Sequence, residues 1–336
     1  MSALDAVTGQ SVWKSYTVTE TPKPVRKNKQ GVQLWGPSGA AIWSSPTVDS
    51  RNRVVYVTTG DSYSDPAAPT SDAFLAFDAR KGSLLWTRQI TSGDAYTMDC
   101  ESPINVNSPE ANGPDFDLGQ SPILVDLPNG RRALIAGQKS GVVTAVDPDR
   151  QGAVFWQTRV GKGGKAGGAQ WGSASDGSNI YVAVSDVGFQ PTRSGAPGAQ
   201  PSMIGMPLLL DPRAGGGLVA LKLESGQQVW RTPHPGCSGT PGCSPAQSAA
   251  VTVIPGVVFS GGLDGHLRAY ETGDGRILLD VDTQTNYDAV NGVRASGGAI
   301  DGPGPVVVGG MLFVNSGYGF LGGAPGNALL AFSAEE

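Results

Sequence analysis

At 336 residues the chain is long enough for one large domain or two ordinary ones, and 39% hydrophobic residues supply a sizeable core if spread through many short strands. With 49 glycines, 25 prolines and only 16% charged residues, it is neither a coiled coil nor a disordered tail. A net charge of −5 and a pI near 5.1 leave no basic stripe for nucleic acid, and no apolar run is long enough to cross a bilayer.

Taken from the start, "MSALDAVTGQ" lacks the basic and apolar segments of a signal peptide and reads instead as the interior of a repeat. The unit Ala-x-Asp, a short turn with Gly, then a run ending in Trp occurs at 3–13, 76–86 and 145–156, and at 220–230 with Lys222 in place of the acid. It decays at 269–279 and ends as "LLAFSAEE". Each copy is an alternating strand, a glycine turn and a second strand, the signature of a β-hairpin. Two further strands precede each hairpin. The first of each pair reads "WSSPTVD" (43–49), "GQSPILVD" (119–126), "WGSASDG" (171–177), "SAAVTVIPG" (248–256) and "GGAIDGPGP" (297–305). The second reads "RVVYVTTG", "RRALIAGQ", "NIYVAVSD", "GVVFSGG" and "MLFVNSG".

Four antiparallel strands recurring every 50–75 residues or so predict the blades of a β-propeller, an all-β fold, with the repeat tryptophan packed between neighbouring sheets. Counted along 1–336, the pattern gives two strands, four full blades and three strands, a single propeller domain of about five to six blades. It reads as a larger ring, eight-bladed in the family named below, without its N-terminal blades. The wide spacing implies insertions, the largest at 92–114, 157–168 and 187–216. In "CSGTPGC", Cys237 and Cys243 sit where they either close a small disulfide, which suits an oxidising compartment, or remain two thiols. No C-x-x-C-H occurs, so this sequence carries no c-type haem site.

Aligning the ends of the second strands places Asp61, Lys139, Asp186, Asp264 and Tyr318 at one repeat position, and the starts of the first strands add Trp43, Asp115 with Asp117, Trp171 and "NGVRASGG" (291–298). In a propeller these positions face one mouth of the central channel. Asp186 and Asp264, before or near Gly, read as turn residues. A lysine gains nothing from a tight turn, so Lys139 reads as functional. The Trp43 indole is either a platform for a flat ligand or a plug.

"GAAIWSSPTVDSRNRVVYVTTGDSYSDP", "FLAFDARKGSLLW", "TSGDAY", "DFDLGQSPILVDL" and "GQKSGVVTAVD" resemble the quinoprotein alcohol dehydrogenases, which use pyrroloquinoline quinone (PQQ). "GGAQWGSASDG" and "NGVRASGGAIDGPGP" read most like the branch acting on polyvinyl alcohol, and the likeness runs the length of the chain. The resemblance implies that Trp43 stacks on the quinone, that Lys139 hydrogen-bonds its oxygens, and that Asp61 replaces an asparagine ligand to calcium. It also implies a catalytic aspartate from a W-D-x-D stretch. Asp115 is the position chosen, because the residues after it match without gaps. Asp117 and Asp99 are alternatives, and the "GDAYTM" placement offers only Thr97. The implied chemistry is oxidation of secondary alcohol groups, with Asp115 as base, PQQ and calcium as cofactors, an alcohol or polymer substrate and cytochrome c as electron acceptor. The implied location is periplasmic or secreted. The family's glutamate calcium ligand and vicinal disulfide belong to blades outside this sequence. Two other readings compete: a quinone-free propeller scaffold, and an inactive fragment that needs further blades.

Overall fold

The computed structural model describes residues 1–102, 104–192, 208–237, 242–319 and 321–333. The middle of the 187–216 insertion, the centre of the Cys237–Cys243 loop and the last three residues of the terminal repeat lie outside these. The described residues divide into two compact units, 1–139 with 144–156, and 140–143 with 157–336.

In the first unit, Ser2–Leu4 and Ser11–Lys14 form a two-stranded sheet. Thr47–Asp49, Val54–Thr58, Ala73–Asp78 and Leu84–Gln89 then make a four-stranded antiparallel sheet in sequence order. The next four strands, Ile123–Asp126, Arg132–Gly137, Val142–Asp147 and Ala153–Arg159, of which 142–143 and 157–159 are assigned to the second unit, repeat that order. The middle strands are buried on both faces, which is why "VVYVT", "AFLAF" and "ALIAG" are nearly continuous apolar runs. Tyr56, Phe74, Leu118, Leu134, Ala136 and Val146 form one core cluster, with Trp86 packed at its edge.

In the second unit, Ala174–Ser175, Asn179–Asp186, Gly215–Lys222 and Gln228–Pro233 form a third such sheet, and Thr252–Ile254, Val257–Gly261, His266–Glu271 and Ile277–Asp282 a fourth. A three-stranded sheet comes next, of Val306–Val308, Met311–Ser316 and Ala328–Ser333. Tyr181, Leu218, Trp230, Val251, Val258 and Tyr270 pack in one core cluster here. The two, four fours and three strands are those read from the repeat.

The repeat motif has a physical reason at each letter. Its acid accepts turn N–H groups: Asp78 from Arg80 and Lys81, and Glu271 from Gly273 and Asp274. Its glycine has positive φ, +69° at Gly82, +69° at Gly152 and +74° at Gly275, a region where other residues are strained. Its tryptophan covers the turn glycine of the next sheet. A Cβ on Gly152 would lie 2.8 Å from the Trp86 ring and one on Gly275 2.5 Å from Trp230, and Gly82 meets Trp13 closer still. Trp13 Nε1–H donates to the Ala79 carbonyl at 3.0 Å and Trp230 Nε1–H to Thr272 at 2.8 Å, so the indoles pack between sheets as expected.

Two expectations are corrected. The first strand expected at 297–305 lies just downstream, at Val306–Val308, because 297–302 is instead tied into loops: Gly297 N–H bonds Thr285, Ile300 bonds Gly262 and Gly302 bonds Ser248. "NGVRASGG" does not begin a sheet. Its Arg294–Ser296 pairs with Asn286–Asp288 in a separate hairpin. Hairpins at Lys23–Lys27 with Gln33–Gly36 and at Phe189–Pro191 with Leu208–Leu210 also interrupt the repeat. Cys237 and Cys243 are disulfide-bonded.

Candidate active site

The site lies in the first unit, where three stretches run side by side. Ala40 N–H donates to the Asp61 carbonyl, Tyr63 N–H to Ser38, Ser62 N–H to Asp94 and Tyr96 N–H to Ser62. This ribbon continues the Val54–Thr58 strand and joins it to the 92–114 insertion, whose Gly113 N–H bonds Ala95. The insertion is therefore part of the site's framework.

Asp115 arrives from the insertion in a left-handed conformation, φ +59°, uncommon outside glycine and least costly for Asp and Asn. Asp94, fully buried, holds that turn: its Oδ1 accepts Asp115 N–H at 3.1 Å and its Oδ2 accepts Phe116 N–H at 2.8 Å. Two residues on, the Asp117 Oδ1 accepts the backbone N–H of Asp61 at 2.7 Å. Lys139 closes the group. Its Nζ lies 2.9 Å from Asp115 Oδ1 and 2.6 Å from Asp117 Oδ2, and its backbone N–H bonds the Asp117 carbonyl at 3.0 Å. One carboxylate oxygen each from Asp61, Asp115 and Asp117 lies within 4.8 Å of the others.

The four sequence-selected residues meet here. Lys139 Nζ stands 5.9 Å from the Trp43 ring centroid, within cation–π range. Two glycines make room for the indole. A Cβ on Gly119 would collide with the ring, and one on Gly60 would lie 3.1 Å from its Nε1 and strike Asp117. Trp43 remains 39% exposed, so it presents a flat apolar surface to solvent above a buried charged floor.

That floor carries more acid than base. Burial, then the neighbouring Asp117 and Asp115 carboxylates, pushes the Asp61 carboxyl far up. Burial also raises Asp115, partly countered by Lys139. Asp94 is raised by burial, against the two N–H bonds it accepts. Asp72, with neither carboxylate oxygen bonded among the described residues, is pushed by burial, then by Asp94 and the other acids, to about 10. Lys139 behaves oppositely. Burial works against its charge, but Asp117 and Asp115 outweigh it and raise the ammonium. Tyr63, 48% exposed, is raised by burial and then by Asp61 and Asp117, which places its phenol in the field of the same charges.

The remaining sequence candidates have other settings. Asp99 accepts the Asn107 N–H within the insertion and is not in the carboxylate group; Thr97 precedes the short 3-10 helix Met98–Glu101. In the second unit, Asp186 accepts the Lys162 and Gly163 N–H groups, holding a loop across the fold. Asp264 does more than shape a turn. It accepts His266 N–H, bonds His234 Nε2 at 2.9 Å and pairs with Arg268 at 2.7 Å. Trp171 Nε1–H donates to Ser248, and Tyr318 is half-exposed. Sequence reasoning missed Asp94, Asp72 and Tyr63. Asp94 and Tyr63 stand inside the quoted stretches "TSGDAY" and "TTGDSYS", but repeat alignment selects only one position per blade.

Residues 1–115 match the family model described as glucose/ethanol/alcohol dehydrogenase, beta-propeller domain, and residues 139–278 and 214–336 the one described as outer membrane protein assembly factor BamB. A polyvinylalcohol dehydrogenase of a Pseudomonas species is 43% identical over 348 residues, covering 99% of this chain and 50% of that protein. A second, from Sphingopyxis sp. strain 113P3, is 39% identical with the same coverage. The chain thus spans about half the length of these relatives. Among solved structures, the quinohemoprotein alcohol dehydrogenase ADHIIG of Pseudomonas putida HK5 superposes with a TM-score of 0.63 at 17% identity, covering 98% of this chain and 55% of that one. The enzyme of Comamonas testosteroni gives 0.61 at 16%, covering 100% and 56%. These two establish the β-propeller fold. With the motif matches and the long relatives, the chain belongs to the family of PQQ-type β-propellers that includes the quinoprotein alcohol dehydrogenases.

Proposed function

We propose that this chain carries a PQQ- and calcium-dependent alcohol dehydrogenase site that oxidises secondary hydroxyl groups of a polymer resembling polyvinyl alcohol. The observation that carries the reading is Lys139, held between Asp115 and Asp117 beside the exposed Trp43 indole and the buried Asp61. The site residues fit both cofactors. Asp61 Oδ2 is buried with no hydrogen-bond partner among the described residues, and three carboxylates share one space with one lysine. That donor set suits a hard, oxygen-seeking cation such as calcium. Asp61 would hold it, with Asp117 alongside, and the cation would neutralise acids that burial otherwise forces to keep their protons. Gly60 and Gly119 make room for the Trp43 indole, which at 39% exposed offers apolar ring surface to a planar ligand.

Bound PQQ supplies the two-electron acceptor that takes hydride from the alcohol carbon. The chain's residues do the rest. Trp43 orients the acceptor. Asp115 takes the hydroxyl proton on the oxygen that Lys139 does not hold, and its raised pKa brings it near the range where a general base is efficient. Lys139 places a positive charge where electron density accumulates. Asp94 keeps Asp115 in its left-handed turn. A cytochrome c would serve as the onward electron acceptor. The Cys237–Cys243 disulfide supports a periplasmic or secreted location. The continuity of the repeat supports one propeller domain through 1–336.

A second reading, a quinone-free scaffold, is favoured by the match of 139–336 to the assembly-factor model. Reconstitution with PQQ and Ca²⁺, followed by dye reduction with a secondary alcohol, separates the two. The dehydrogenase reading expects turnover, and Asp115→Asn lowers kcat by a factor on the order of 10² or more. No dye reduction above the quinone-free protein, or an Asn variant as active as the parent, contradicts it.

A further inference from the structure

Tyr63 is the exposed side chain that shares the buried acid's side of the site ribbon. Ser62 is bridged to Gly39 on one side and to Ala95 on the other, so the backbone is extended there before it bends at Tyr63. In an extended chain alternate side chains share a face. Ser62 turns away and is fully buried, its Oγ accepting the Ala68 N–H at 2.8 Å. Asp61 and Tyr63 therefore share the opposite face. Asp61 is 4% exposed and joins the carboxylate floor; Tyr63, one step outward, is 48% exposed. The Tyr63 backbone is tied to the neighbouring stretch, its N–H donating to the Ser38 carbonyl at 2.9 Å, and Gly39 lets the two approach closely, since a Cβ there would lie 2.5 Å from the Tyr63 nitrogen. The half-exposed ring thus stands beside the charged floor, and Asp61 and Asp117 act on its phenol.

Resting on the dehydrogenase reading above, we propose that Tyr63 is a specificity-determining residue that recognises the substrate next to the reacting carbon. Its ring packs on the hydrocarbon of the chain, and its hydroxyl bonds a second hydroxyl two carbons from the one oxidised. The site then prefers 1,3-diols, the repeating pattern of a vinyl-alcohol polymer, over simple secondary alcohols. The phenol takes no part in the proton or hydride transfer.

The test compares kcat/KM for pentane-2,4-diol and pentan-2-ol in the PQQ- and Ca²⁺-loaded protein, for the parent, Tyr63→Phe and Tyr63→Ala. The diol to mono-ol ratio is expected to favour the diol in the parent and to fall about fivefold in Tyr63→Phe, the worth of one hydrogen bond. A residue that only supports the fold would lower both values together. Tyr63→Ala, which also loses the ring, is expected to raise KM for both alcohols beyond the Phe variant. Saturation-transfer difference NMR reads diol and mono-ol binding without turnover, and the diol signal is expected to weaken selectively in Tyr63→Phe. An unchanged ratio, or unchanged relative binding, overturns the role of Tyr63. Absence of turnover in the parent with either alcohol contradicts instead the dehydrogenase reading, and the NMR comparison still decides Tyr63.

Discussion

Lys139 shows what a single side chain contributes. At the ends of equivalent second strands the repeat places Asp61, Asp186, Asp264 and Tyr318, and only here a lysine. Its ammonium stays charged although burial opposes it, because two carboxylates face it at 2.6 and 2.9 Å. Removing it would leave two buried acids with no counter-charge, which costs more than the pair itself is worth. Asp264, in the second unit, is the contrasting case, an acid whose partners are complete. Burial pushes its carboxyl up, but hydrogen bonds from His234 and Arg268 prevail and hold it near 2. A carboxyl depressed in the folded state stabilises above its unfolded pKa of about 4 and loses that contribution as pH falls towards 2. The contribution is on the order of 2 kcal/mol. Urea midpoints should fall between pH 4 and 2, and the fall should be shallower by that amount in Asp264→Asn. Parallel pH profiles for parent and variant would remove Asp264 from the account.

Among elements, the hairpin is the unit that the sequence spells most plainly. Acid, glycine and tryptophan recur at nearly constant spacing, with one residue more between Asp147 and Gly152 and Lys222 in place of one acid, because each has one local role. The acid accepts turn N–H groups, the glycine adopts positive φ, and the tryptophan covers the next sheet's turn. Gly82 tests this chain of causes. It has φ +69° and the Trp13 ring where its Cβ would go, and the Ser15 hydroxyl donates to its carbonyl. Gly82→Ala should destabilise by roughly 1–3 kcal/mol through strain and overpacking together. The same substitution at Gly130, which has positive φ but nothing within 4 Å, should cost less, since only the backbone is strained. Equal costs in thermal melts would show that the indole contact adds nothing. Elements without such letters are harder to place. The strand at Val306–Val308 is expected upstream, since "GGAIDGPGP" imitates the small-residue start of a first strand while its backbone is committed to loops.

For the whole molecule, strand counts and sheet order are legible because a repeat states its fold several times. The site is stated once. Trp43, Asp61, Asp115 and Lys139 can be selected, since each occupies a repeat position that the fold itself leaves free to vary. Asp94 and Asp72 cannot, because they act through the insertion and the deep floor, where position depends on long-range packing rather than on period. The family relation rests on the full length of the chain, and the proposed chemistry on one small group of residues in the first unit. Tryptophan fluorescence and quinone absorbance, followed while PQQ is titrated into the purified chain with and without Ca²⁺, test that group most directly. The account predicts saturable, calcium-dependent binding at one quinone per chain that is lost in Trp43→Ala and weakened in Asp61→Ala. Absence of saturable binding, or binding that is indifferent to calcium and to both substitutions, would contradict it.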